Sequence, residues 1–249
     1  MAVSDARDFY GALVFRRSND MNPLRSYKRL LIKISGELFQ GGGEFGLDMA
    51  IVKGYAQQLA LIHKHHQLVV VVGGGNFFRG VMAQGMSRQE ADEIGMLATV
   101  MNGRALLSAL CSLAVPSCLL STRMHPLYSS DQALSALKTG HLVICSGGTG
   151  NAFVTTDTAG VIRACELDCD IMLKGTKVDG VYSAPPETKP DAVFFPRLTY
   201  QEILEKRLHV MDLTAITLAK ENALPLIVFS MGQGLSALVK GSCRYTSIQ

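Results

Sequence analysis

The sequence predicts an α/β protein built on a mainly parallel sheet with helices on both faces. Short β-branched runs such as residues 68–72, Leu-Val-Val-Val-Val, show no polar alternation, which marks strands buried on both faces. These runs alternate with stretches of helical period, the pattern of βαβ units. Glycine turns follow several of them, at Ser35-Gly36, Gly73-Gly74-Gly75 and Gly147-Gly148-Thr149-Gly150. In a parallel sheet such turns share the carboxyl edge, where ligands bind.

Residues 1–26 stand apart from the regular pattern. Asp5 and Asp8 precede the apolar patch 9–15 and Arg16-Arg17 follow it, the reverse of the charge order in a secretory signal. They are expected to form a disordered extension ahead of one domain spanning 27–249. The first strand is expected at 29–35, followed by a glycine-rich loop at 36–46. Asp48 caps a helix whose Ile51, Tyr55, Leu59 and Ile62 share a face. His63, His65 and His66 close that helix around Lys64 and complement its carbonyl end, with metal binding as the alternative. After the strand at 68–72, Ser87 and Glu90 form a capping box opening a helix to about residue 113. Gly95 and Gly103 inside it cost helicity and point to close packing. Then come a strand at 117–120, a helix from Ser129 or Ser130 to 139, a strand at 141–146, a helix at 157–165 and a strand at 169–174. A polar loop runs on to 192, long enough to be functional. Helices at 199–206 and 212–222, a strand at 225–229 and an edge strand at 245–248 complete the chain.

Composition narrows the function. With 24 basic and 21 acidic residues the charge is too balanced for a nucleic-acid groove, so small anions are the expected partners. No apolar run approaches the roughly 18 to 20 residues that span a bilayer, and no membrane association is expected. The six cysteines form no CxxC pair and sit mostly in apolar runs, which points to a reducing cytoplasm.

The chemistry gathers at the strand ends. Gly73, Gly74 and Gly75 let phosphate oxygens approach backbone amides, and Arg79 adds a forked cation. A turn whose glycines only satisfy positive φ is the plain alternative. Lys33 interrupts an apolar strand, where an ammonium needs a partner such as a phosphate, unless the strand is an edge and the side chain reaches solvent. Lys174 and Lys177 present the same choice. No GxxxxGK[ST], HRD or DFG element occurs, which excludes the P-loop and protein-kinase solutions. Gly41 to Gly46 fits GxGxxG but lies several residues past its strand, without an acidic residue about twenty positions on, and is weak as a dinucleotide fingerprint.

Several spaced motifs together resemble a known family. Lys33-Ile-Ser-Gly-Glu37, Gly73-Gly-Gly-Asn-Phe-Phe-Arg-Gly80, Asp92 with Gly95-Met-Leu-Ala-Thr-Val-Met-Asn-Gly103, Gly148-Thr-Gly-Asn151 with Thr155-Thr-Asp157, Lys174-Gly-Thr-Lys-Val-Asp-Gly-Val181 and Val210-Met-Asp-Leu213 resemble the bacterial UMP kinases of the amino acid kinase superfamily. The resemblance runs from about Tyr27 to the C-terminus. It implies a three-layer αβα sandwich with a mainly parallel central sheet, the amino acid kinase or carbamate kinase-like fold. It also implies ATP- and Mg-dependent phosphorylation of UMP to UDP in pyrimidine nucleotide biosynthesis, by a cytoplasmic homohexamer with UTP and GTP as effectors.

Residue by residue, the resemblance implies that Lys33, Ile34, Ser35, Gly36, Gly75 and Arg79 hold the ATP phosphates, with Thr176 and Tyr182 beside the adenosine. Gly74, Asp92, Gly148, Thr149, Gly150, Asn151, Ala152, Phe153, Val154 and Thr155 would hold UMP. Lys33, Arg79, Asp157 and Lys174 would be catalytic, with no direct protein ligand for the metal, and Asp157 would orient a lysine or a Mg-bound water. A plain helix N-cap is the other reading of Asp157. Gly41, Gly42, Gly43, Glu44, Phe45 and Gly46 resemble the segment linked to GTP. Ala152 replaces a proline common in the UMP loop, and Pro185 stands where the family pattern has an aspartate. Within the fold the alternative acceptors are carboxylates and carbamate; outside enzymes, the alternative is an oxoanion store like the molybdenum storage protein.

Overall fold

The computed structural model describes residues 22–78 and 83–249. Its strands and helices alternate as the hydrophobic pattern dictates. In order they are β1 (Arg29–Ile34), a 3₁₀ turn (Gly36–Phe39), α1 (Met49–His63), β2 (Gln67–Val72), α2 (Arg88–Ser112), β3 (Ser117–Ser121), α3 (Ser130–Lys138), β4 (Leu142–Ser146), α4 (Thr156–Glu166) and β5 (Ile171–Thr176). The remainder comprises β6 (Val181–Tyr182), β7 (Phe194–Phe195), β8 (Arg197–Leu198), α5 (Tyr200–Glu205), α6 (Leu213–Glu221), β9 (Leu226–Ser230), α7 (Leu235–Val239) and β10 (Tyr245–Ile248).

Eight strands form one sheet in the order β3-β4-β2-β1-β5-β9-β10-β8. All its pairings are parallel except β9 with β10. Side chains alternate across each strand. Leu30, Ile32 and Ile34 of β1 therefore pack on one face with α1, α2 and α7, while Leu31 faces α3, α4, α5 and α6. Two apolar cores with the sheet between them make the three-layer αβα sandwich.

The helix starts are the ones their capping residues specify. Asp48 accepts from Ala50 and Ile51 amides, Ser87 and Glu90 close the capping box, Ser129 caps α3 and Asp212 caps α6. The buried face of α1 is Val52, Ala56, Leu59 and Ile62, with Ile51 left exposed. Two apolar stripes were available on this helix, and the one beginning at Val52 meets the sheet. Gly103 is packed as expected, since a Cβ there would lie 2.9 Å from Leu119 Cδ1, but Gly95 has open space where its Cβ would be.

Other differences are tertiary in origin. β10 is not an edge strand, because β8 pairs outside it. The polar loop after β5 contains β6, which folds against β7 as a hairpin. Leu24, inside the segment set apart by sequence, is fully buried against the core. α2 is long and apolar enough to cross a membrane, but more than half of its most apolar stretch is buried inside this fold. His63 bonds the Gly140 carbonyl and His66 the Tyr27 carbonyl, each through one ring nitrogen.

Candidate active site

The parallel register of β1 and β5 sets Lys33 beside Lys174 at the carboxyl edge. Both side chains point to the face covered by α4, and both are largely buried. Left alone, two adjacent ammonium groups would repel and lose their hydration. Asp157, in the first turn of α4, lies between them. Its Oδ1 is 2.8 Å from Lys33 Nζ and its Oδ2 is 2.5 Å from Lys174 Nζ. Burial would raise the Asp157 carboxyl, but the charges of Lys33 and Lys174 outweigh it and hold the carboxyl below the ordinary carboxylate range. Burial likewise lowers Lys174, with Asp157 opposing and Lys33 adding to the shift. Thr155, not Asp157, is the N-cap of α4. The cluster therefore carries one excess positive charge at a helix N-terminus, a setting that favours an anion.

Glycine turns flank this cluster. The turns after β1 and β2 pack backbone to backbone: a Cβ on Gly36 would lie 2.6 Å from the Gly75 amide nitrogen and 2.7 Å from the Gly73 oxygen. Ser35 makes no side-chain capping bond to the 3₁₀ turn it precedes. Asn76 and Asn102, both buried, bond each other reciprocally at 2.9 and 2.7 Å. Asn102 also donates to the Gly73 carbonyl, and Asn76 to that of Gly46, which fixes the glycine turn against α2 and ties the Gly41 to Gly46 loop to it. Arg79 lies outside the described residues.

On one side of the lysines lies a cavity of about 220 Å³ lined by Thr176, Tyr182, Pro185, Pro186, His209 and Val210. Tyr182 is held by Asp179 and stacks edge-on with Phe194. On the other side, after β4, lies the loop from Gly148 to Thr155, while Gly74 packs on α2, where a Cβ would lie 2.7 Å from the Gly95 oxygen. Asp92 Oδ2 accepts the Phe153 amide at 2.7 Å, fixing a residue with φ of +69°. Lys177 belongs to neither group; it pairs with Glu37 at the surface, 3.0 Å away.

Asp212 braces the candidate site, a role sequence reasoning missed. While capping α6 it accepts from the hydroxyls of Thr155, at 2.5 Å, and Thr158, at 2.8 Å, and so fixes the start of α4. Nearby, the Val210 carbonyl accepts from Lys174 at 2.6 Å. Its signal was the motif Val210-Met-Asp-Leu213, which marks position but not partner.

Buried lysines bridged by a carboxylate, at the carboxyl edge of an αβα sandwich and beside a cavity, form a positively charged cluster of the kind that suits an anionic ligand. Comparison with known proteins agrees. The model of the amino acid kinase family matches residues 28–230. A uridylate kinase from Bacteroides thetaiotaomicron is 46% identical over 215 residues, 84% of this chain and 91% of the relative. One from Bartonella henselae is 44% identical over 231 residues, 89% of this chain and 97% of the relative. The crystal structure of UMP kinase from Ureaplasma parvum superposes with a TM-score of 0.86 at 34% identity, covering 89% of this chain and 98% of that one. The chain therefore belongs to the amino acid kinase family and, within it, to the uridylate kinases.

Proposed function

We propose that the protein transfers the γ-phosphoryl group of MgATP to the phosphate of UMP, giving UDP and ADP. The observation that carries this is the Lys33–Asp157–Lys174 cluster between the cavity at Thr176 and Tyr182 and the loop from Gly148 to Thr155. A UMP phosphate oxygen attacks the γ-phosphorus in line. The bond from that phosphorus to the bridging oxygen breaks, and ADP leaves with the electron pair. The attacking oxygen is already anionic near neutral pH, so no general base is needed and catalysis is positioning with charge stabilisation.

In this reading Lys33, Ile34, Ser35, Gly36, Gly75 and Arg79 receive the ATP phosphates, with Thr176 and Tyr182 at the adenosine. Gly74, Asp92 and residues 148–155 receive UMP. Lys33, Lys174 and Arg79 neutralise the transferring group, and Asp157 sets the lysines. Mg²⁺ enters as part of the nucleotide substrate, bound to phosphate oxygens and water. The exposed Ile94, Leu97 and Met101 of α2 support self-assembly, for which a homohexamer is expected. UTP and GTP are the expected effectors, GTP through the Gly41 to Gly46 loop, and the six free thiols suit a cytoplasmic location. A coupled ADP-release assay with UMP, CMP, dUMP and carbamate tests the reading. Turnover with UMP alone or far above the others supports it, and turnover with carbamate in place of UMP overturns it.

A further inference from the structure

The Gly148 loop is held from behind through its carbonyls. Thr122 Oγ1 donates to the Gly147 oxygen at 2.6 Å, and Arg123 donates to the Gly150 oxygen at 2.8 Å. The third tie comes from a buried cation. Arg163, on α4, is 5% exposed, and its Nη2 donates to the Gly148 oxygen at 3.4 Å. Its guanidinium lies 3.6 Å over the Tyr128 ring and pairs with Glu166 at 2.7 Å, while the Tyr128 hydroxyl donates to the same carboxylate oxygen at 2.6 Å. Nε of Arg163 is buried without a hydrogen-bond partner among the described residues. A buried arginine with an unsatisfied donor is costly, so its charge and position call for a reason beyond packing.

Peptide geometry supplies one. The Gly148–Thr149 bond is trans, so its C=O and N–H point in opposite directions. With the oxygen drawn back to Arg163, the Thr149 amide faces away from that side chain, and it donates to no acceptor among the described residues. A cation on the carbonyl also polarises the peptide and strengthens the donor at its other end. We propose that Arg163 is a positioning residue for the acceptor nucleotide: it holds and polarises the Gly148–Thr149 peptide so that the Thr149 amide binds an oxygen of UMP. This rests on reading residues 148–155 as the acceptor site.

Steady-state kinetics of the full chain with MgATP and UMP test it, comparing Arg163→Met, Arg163→Lys and the loop variant Asn151→Ala. Arg163→Met should raise the UMP KM about tenfold and leave the ATP KM within about twofold. Arg163→Lys, with the charge but not the fork, should fall between Met and wild type. Wild-type UMP KM in both Arg163 variants while Asn151→Ala raises it overturns the role of Arg163. An unchanged UMP KM in all three shows that the acceptor reading itself is wrong and takes the proposal with it. A parallel rise of both KM values, with a lower Tm, makes Arg163 merely structural. Should Arg163→Met not fold, the amide resonance of Thr149 in Arg163→Lys decides: a UMP-induced shift smaller than in wild type supports the proposal, and an identical shift overturns it.

Discussion

The two edges of the sheet both carry positive charge, yet they hold it in different ways. At the amino edge a cavity of about 1310 Å³ is lined by Arg25, Lys28, Arg29, Lys64 and Lys138 together with His63, His65 and His66. It is far larger than the cavity of about 220 Å³ at the carboxyl edge. But in a parallel α/β fold the helices present their carbonyl ends at the amino edge, and some of the side-chain donors there already bond carbonyls. Arg29 donates to the Leu167 carbonyl, Gln67 to that of Leu137, and His63 bonds that of Gly140. At the carboxyl edge lies the amino-terminal start of α4 instead, and the lysines are buried in fixed register beside it. Helix polarity and strand register, more than cavity size or charge count, are what favour an anion at the carboxyl edge.

The contrast can be broken first at Asp157. Asp157→Asn removes the charge that lets Lys33 and Lys174 sit side by side, and breaking a buried ion cluster in this way costs about 3 to 5 kcal/mol. Urea unfolding at pH 7 should show that loss, and a change below about 1 kcal/mol would contradict it. The pH dependence has a definite sign. Because the folded carboxyl lies below its ordinary value, its contribution is fully present above about pH 4 and is lost as pH falls from there through the folded value. Asp157→Asn should therefore flatten the acid limb of stability against pH. A limb as steep as in wild type would place the linkage elsewhere.

A smaller effect is expected at Pro185, in the lining of the carboxyl-edge cavity. The proline side chain offers no acceptor there, and its carbonyl is taken by the Thr188 and Lys189 amides, whereas an aspartate side chain could accept a hydrogen bond from the nucleotide. Such a charged hydrogen bond contributes about 1.5 to 3 kcal/mol, more than the roughly 0.4 to 1 kcal/mol by which a proline stiffens a loop. Pro185→Asp should lower the KM for ATP and leave that for UMP alone; a shift in the UMP KM instead would put the adenosine elsewhere. The smallest effect should come from the amino terminus. Deleting residues 1–20 should leave Tm and kcat nearly unchanged, since the family match begins at residue 28. A drop of several degrees in Tm would show that the apolar patch 9–15 docks.

What was legible in the sequence follows from range. Asp48, Ser87 and Ser129 announce helices because a cap acts over three residues, and the strands 29–34 and 67–72 are announced by runs of Val, Leu and Ile. The two-residue strands β6, β7 and β8 carry no periodicity, and α7 has only five residues behind Gly234, so neither left a signal. The site divides in the same way. Lys33 was conspicuous as a charge in an apolar strand, and the glycine turns were conspicuous at strand ends. Its pairing with Lys174 depends on strands far apart in sequence, and the bonds of Asp212 and Arg163 join separate helices and loops. Such contacts have no local pattern to read.

The most direct measurement compares one cation from each edge in the same assay. With MgATP and UMP, Lys33→Ala should lower kcat about 100- to 1,000-fold, the usual loss when a group that stabilises transition-state charge is removed, and should raise the UMP KM far less. Lys138→Ala, in the larger amino-edge cavity, should leave kcat within about twofold of wild type. Full kcat in a folded Lys33→Ala protein, or an equal loss in Lys138→Ala, would contradict the assignment of phosphoryl transfer to the carboxyl edge.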